Sequence, residues 1–148
     1  MLTRADDELE IMRLLARLAQ AVDDRDADAY RDCFADEVVC MVPDTDANET
    51  WRAVPSEAYA RGAVASVSAF EWTHHRLCNF VILTDGERAQ GKVDVVVQMQ
   101  ASKADKGDAP MLTVGGRYDL EFRKLATGWR ITKRHMRTRY TSRNSAAV

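Results

Sequence analysis

The chain is short of cysteine, of proline and of long apolar runs, and these shortages exclude several classes. Its three cysteines, Cys33, Cys40 and Cys78, are odd in number and lack C-x-x-C spacing, which excludes a disulfide framework and a structural zinc site; they read as reduced core residues. No segment approaches the roughly 20 apolar residues of a membrane span. The opening "MLTRADDELE" turns acidic where a signal peptide would be apolar, so a cytoplasmic protein without a membrane partner is expected. An excess of charge of one sign is missing too. The 21 basic and 23 acidic residues leave a net charge of −2, which provides no field to attract nucleic acid. What is there, 148 residues with 46% hydrophobic and 30% charged, suits one soluble globular domain over 1–148.

Helical periodicity comes first. Over residues 6–22, Leu9, Met12, Leu15, Ala16, Ala19 and Val22 recur at three- and four-residue spacing behind Asp6, Asp7, Glu8 and Glu10, the charge a helix N-terminus favours. After the polar "DDRDAD", Asp26 is the expected N-cap of a short second helix carrying Ala27, Tyr30, Cys33 and Phe34. "VVCMV" (38–42) reads as a buried strand ended by Pro43 and the loop "DTDANET". Residues 55–68 read as a third helix entered at Pro55, with Tyr59, Ala63 and Val67 on one face.

From residue 70 the period drops to two. Runs at 70–84, 92–102, 111–124 and 129–140, separated by "DGERAQG", "KADKGDAP" and "LATG", predict four strands. Tyr118, Leu120 and Phe122 alternate with Arg117, Asp119 and Glu121, as in a strand with one buried face, and Gly115-Gly116 predict a bulge or sharp bend. The order predicts an α+β domain in which a curved antiparallel sheet wraps around N-terminal helices, with residues 141–148 frayed.

Histidine is scarce, and two of the three stand side by side in "THHRLCN" (73–79). Neighbours on a strand face opposite ways. Thr73, His75, Leu77, Asn79, Val81 and Leu83 share one face; His74, Arg76, Cys78, Phe80 and Ile82 share the other. The first face is the better pocket wall, because Arg76 on the second would need a buried partner. An imidazole base works best when a carboxylate fixes its tautomer. Asp23, directly after Val22, sits at a helix C-terminus, where the dipole disfavours its charge and a protonatable histidine would offset it. On the residues alone, the alternative is that His75 is a hydrogen-bonded core residue and the acids after the helix are solvated.

The stretches "LLARLAQAVDDRDADAYRDCFADEV", "THHRLCN" and "VGGRYDLEFRKLATGWRITKR" together resemble the SnoaL-like proteins of the nuclear transport factor 2-like superfamily, over residues 8–137. The resemblance is greatest to the hexachlorocyclohexane dehydrochlorinase and scytalone dehydratase branch, with polyketide cyclases as wider relatives. It implies a cone-shaped α+β barrel with a deep apolar pocket. It also implies a histidine–aspartate dyad, carried over by "A-V-D" to Asp23 and by "T-x-H-x-x-x-N" to His75, with Asn79 beside it. The reaction implied is proton abstraction leading to elimination or isomerisation of a small hydrophobic substrate, with no metal and no organic cofactor.

The arginine that the dehydrochlorinase carries after "W-x-x-x-K" falls on Arg134. Strand parity puts Trp129, Ile131, Lys133 and His135 on one face and Arg134 on the other, so either a bulge brings Arg134 to the pocket or His135 enters it. Some family members have a lysine or tyrosine five residues before the aspartate; here that position is Leu18, and Tyr30 is the nearest substitute for holding substrate. The competing readings are a non-catalytic subunit like the β subunit of ring-hydroxylating dioxygenases, and a ligand-binding module. On each reading a homo-oligomer, dimer or trimer, is expected, with outward-facing Phe80 and Ile82 covered by a second copy.

Overall fold

The computed structural model describes residues 4–43, 49–102 and 109–144. The first helix, α1 (Arg4–Asp23), buries Ile11, Leu14, Leu15, Leu18, Ala21 and Val22 at helical spacing. This stripe is rotated from the expected one: Leu9 and Met12 are 45% and 38% exposed. The buried line also carries Asp7, whose carboxylate accepts from Lys124 Nζ at 2.6 Å and Trp129 Nε1 at 3.0 Å. A satisfied acid inside the interface thus fixes which way the helix faces. The short α2 (Ala27–Arg31) starts as expected, with Asp26 accepting from the Ala29 amide at 3.0 Å.

Phe34, expected on that helix, instead opens strand β1 (Phe34–Pro43). The segment expected as a loop contains part of a strand, β2 (Glu49–Pro55), paired antiparallel with β1 through Met41↔Trp51 and Val39↔Ala53. Its Arg52 and its 44% exposed Trp51 disguise it, since an edge strand with little buried side has no apolar alternation to show. The rest of that loop, 44–48, lies outside the described residues, as does 103–108 of "KADKGDAP". Then come α3 (Ser56–Val67, with Pro55 at its N-cap), β3 (Phe70–Asp85), β4 (Arg88–Ala101), β5 (Met111–Leu125) and β6 (Gly128–Asn144).

The six strands form one open sheet in the order β2-β1-β6-β5-β4-β3, curled around the helices as an α+β cone. It is mixed and not purely antiparallel, because β1 runs parallel to β6 (Phe34↔Ile131, Val39↔Lys133). The helix between them and the long path through the sheet make that crossover available. β6 continues through residues expected to fray: Leu112↔Arg143 and Thr113↔Ser142 pair Thr141–Asn144 into the sheet, and 145–148 lie outside the described residues.

Among the register shifts of this sheet, three bear on which side chains face inward. The predicted one is at Gly115/Gly116, opposite Thr138 and Tyr140. A second places an extra residue in β3 between Cys78↔Asp94 and Val81↔Lys92, where Asn79 has φ 51°. A third leaves Thr132 as the extra residue of β6, between Phe122↔Ile131 and Glu121↔Lys133. Beyond the β3 bulge the faces exchange. Ile82 is buried in the core and Phe80 packs against it, while Val81 and Leu83 are each 57% exposed. The expected outward face of Phe80 and Ile82 is therefore the inward one. Of the cysteines, Cys33 and Cys40 are buried as expected, but Cys78 is exposed.

Candidate active site

The site starts at the end of α1. The amide of Asp26 donates to Ala21 O at 2.9 Å and that of Arg25 to Val22 O at 3.1 Å, the paired closure of a Schellman motif. Its left-handed residue is Arg25, with φ 57° rather than a glycine. The guanidinium explains the choice: it donates to the carbonyls of Asp23 (2.5 Å), Phe70 (3.1 Å) and Val67 (3.3 Å). One side chain thus ties the end of α1 to the end of α3 and the start of β3, and places positive charge where the helix dipole needs it. Nothing in the sequence pattern singled it out.

Held in that last turn, the Asp23 carboxylate faces β3. Oδ1 accepts from Thr73 Oγ1 at 2.9 Å and lies 2.6 Å from His75 Nδ1; Oδ2 accepts from the backbone amide of His75 at 2.8 Å. Two strand residues of the same parity therefore converge on one acid. The side chains of His75 and Asp23 are only 12% and 16% exposed. Since an ionised carboxylate can only accept, Nδ1 carries the proton and Nε2 is left with its lone pair. Burial lowers the pKa of His75 below 6.5, opposed by the hydrogen bond and charge of Asp23 and assisted by the nearby charge of Arg134. Burial thus favours the neutral ring.

His75 lines a cavity of about 410 Å³ to which all three helices and five strands contribute residues. Leu18 and Val22 of α1, Val42 and Val54 of β1 and β2, Val67 of α3 and Leu77 of β3 supply apolar wall. Tyr30, Tyr59, Tyr118 and Arg134 supply a polar end. Arg134 enters by way of the Thr132 bulge, which reverses β6 after Ile131. Its Nη1 donates to Tyr59 Oη at 2.5 Å, its guanidinium carbon lies 4.3 Å from the centre of the Tyr118 ring, and its Nε makes no hydrogen bond among the described residues. Burial works against this charge, yet the neighbouring Tyr118, Tyr30 and Tyr59 raise its pKa above the ordinary guanidinium value, so it stays a cation.

Of the other expected site residues, Tyr30 is 2% exposed, tilted on Phe34 at 5.2 Å, and borders the cavity; burial raises its pKa. His135 does not enter. The bulge that admits Arg134 sends His135 to the outer face, 5.3 Å from the Trp51 ring. Asn79 lies outside as well: in the β3 bulge it is exposed and donates to Asp94 Oδ2 at 2.8 Å. Strand parity from Thr73 would have kept it inside had the strand been regular. The sequence pattern places Tyr59 on a helix face and Tyr118 on the buried face of a strand, and no more. A tyrosine on a buried stripe gives no sequence signal of what its hydroxyl meets.

Among the described residues no group of three histidine, cysteine or acidic side chains is disposed to hold a metal ion, and no helix is long and apolar enough to cross a membrane. Comparison with solved structures finds a protein of Kribbella flavida, 26% identical, with a TM-score of 0.84 and 95% of each chain covered. A protein of Novosphingobium aromaticivorans described as an aromatic ring hydroxylase is 25% identical, with a TM-score of 0.77 over 97% of this chain and 96% of that one. A hexachlorocyclohexane dehydrochlorinase of Novosphingobium barchaimii shares the fold at 15% identity, with a TM-score of 0.77 over 97% of this chain and 94% of that one. Comparison with curated protein sequences finds no match. Residues 3–135 match the SnoaL-like domain, so the chain, with its cone of sheet around a cavity lined by an imidazole that an acid holds from behind, belongs to the SnoaL-like family.

Proposed function

We propose that the protein is a lyase or isomerase that needs no cofactor and starts its reaction by taking a proton from carbon. The observation that carries this reading is the 2.6 Å contact between His75 Nδ1 and Asp23 Oδ1, which sets a buried imidazole on the wall of a cavity with apolar sides and one polar end. In this reading His75 Nε2 removes the proton, and Asp23 holds the tautomer and stabilises the imidazolium that results. Asp23 is itself restrained by Thr73 and the His75 amide, so the base needs little reorganisation to act. Arg134 faces the charge that develops at the other end of the substrate. The cavity volume and its valine, leucine and tyrosine lining favour a compact, mostly apolar substrate with a polar group at one end.

The partner-subunit reading predicts a filled cavity and no histidine–aspartate pair within it. An open volume of about 410 Å³ beside the His75–Asp23 pair weighs against it, and the ligand-binding reading is separated from catalysis by the test that follows. The test is to incubate the protein in D2O with a panel of small aryl ketones and halogenated cycloalkanes, and to follow deuterium uptake and elimination by NMR. Exchange in the wild type that disappears in His75→Gln supports the reading. Exchange that survives in the variant removes His75 as the base.

A further inference from the structure

Resting on His75 as the base, we infer that Tyr59 is the proton donor to the leaving group, and that this site therefore takes substrates that lose an oxygen. The argument lies in the direction of one hydrogen bond. A guanidinium has five donors and no acceptor. In the 2.5 Å contact between Arg134 Nη1 and Tyr59 Oη, the phenol oxygen must accept, which leaves its own proton unengaged by any described residue. Both groups line the cavity that His75 lines, Arg134 from β6 and Tyr59 from α3. Leu18 on α1 has no proton to offer. The phenol is thus a donor whose conjugate base already has a cation against it.

The pairing divides leaving groups by chemistry. Chloride departs as a stable anion and needs no proton, whereas hydroxide needs one to leave as water. In the step proposed, His75 Nε2 takes the proton from carbon, and the C–H electron pair becomes the new C=C bond. The adjacent C–O bond breaks, and the Tyr59 proton joins the departing oxygen to make water. The phenolate left behind is held by Arg134. The imidazolium proton then returns to the phenolate through the released water. Substrate has become alkene and water, and both residues are back in their starting states.

The test compares two probes on each enzyme preparation: an aryl β-hydroxy ketone and its β-chloro analogue, which eliminate to the same enone and are followed by its absorbance. Tyr59→Phe is expected to slow loss of hydroxide by about 100-fold or more, and loss of chloride by less than about 3-fold. Because both probes are read on one preparation, a partly misfolded variant lowers the two rates alike and leaves their ratio intact. Equal loss on both probes, unchanged loss of hydroxide, or a wild type that eliminates chloride but not hydroxide would each overturn the role of Tyr59. His75→Gln should abolish both reactions. If it leaves them running with the Tyr59 ratio unchanged, the base has been misassigned while the donor stands, and a wild type that eliminates neither probe overturns both.

Discussion

Replacing Asp23 with asparagine alters the shape of the site least and its proton arrangement most. The carboxylate accepts three hydrogen bonds, from the Thr73 hydroxyl, the His75 amide and His75 Nδ1. Asparagine has one oxygen and an NH2 that only donates. One of the three donors must then face another donor, at a cost of about 1–3 kcal/mol if nothing changes. The backbone amide cannot change. The imidazole can, by moving its proton from Nδ1 to Nε2 and accepting from the new amide. That relieves the clash and removes the lone pair the reaction needs. Loss of a positioned base lowers rates about 10²–10⁴-fold, equivalent to roughly 3–5 kcal/mol of transition-state stabilisation. Removing Asp23 also removes the influence that raises the His75 pKa, so what activity remains should reach its plateau at lower pH than in the wild type.

The tautomer can be observed without any substrate. The chain has three histidines, so long-range proton–nitrogen NMR on protein labelled at histidine nitrogen resolves His75 by comparison with a His75→Gln sample. Near pH 7 the wild type should show protonated Nδ1 and unprotonated Nε2, and Asp23→Asn the reverse. An Asp23→Asn protein that keeps the proton on Nδ1, or a wild type that carries it on Nε2, would refute the reasoning whatever the activity.

Thr73→Val removes the 2.9 Å bond to Asp23 but keeps the side-chain shape, and should cost about 1–2 kcal/mol by thermal denaturation while slowing deuterium exchange less than Asp23→Asn does. The Asp7 carboxylate is held below its ordinary 3.8 by the hydrogen bonds of Lys124 and Trp129, so its contribution is complete above that pH and is lost as pH falls through the lower folded value. Accordingly, Asp7→Asn should lower Tm at pH 7, by about 2–4 °C for each kcal/mol lost, and the gap to wild type should narrow on acidification below pH 4. Gly116→Ala would put a Cβ 2.3 Å from the Arg137 carbonyl oxygen and should destabilise by about 1–3 kcal/mol. Gly62→Ala on α3 meets nothing within 4 Å and should stabilise by about 0.5–1 kcal/mol, as seen in its urea midpoint.

Most of the fold was legible because burial writes a period into the sequence. The helices, the four long strands and the Gly115/Gly116 bend all carry that period, and each forms close to its expected place. β2 did not, because an edge strand bearing Arg52 and a half-exposed Trp51 has too little buried face. The orientation of α1 departs from the expected one for a related reason. Leu9 and Met12 extend the apolar count, but the stripe that packs is the one whose charged member, Asp7, finds partners about 120 residues away on the β5–β6 hairpin.

The site was legible up to each bulge and no further. Parity from Thr73 brings His75 to Asp23 because β3 is regular between residues 72 and 78. One extra residue later, the same rule puts Asn79 in a pocket it never reaches and turns Ile82 outward when it is buried. On β6 the error runs the other way: an extra Thr132 exchanges His135 for Arg134 at the cavity wall. A single unpaired residue reverses every side chain after it. Neither bulged stretch contains a glycine to signal it, since Asn79 takes the left-handed conformation itself and Thr132 is β-branched. A cation delivered through an irregularity in one strand can therefore be gained or lost by a one-residue change in register, with the His75–Asp23 contact, set by α1 and the regular part of β3, left where it is.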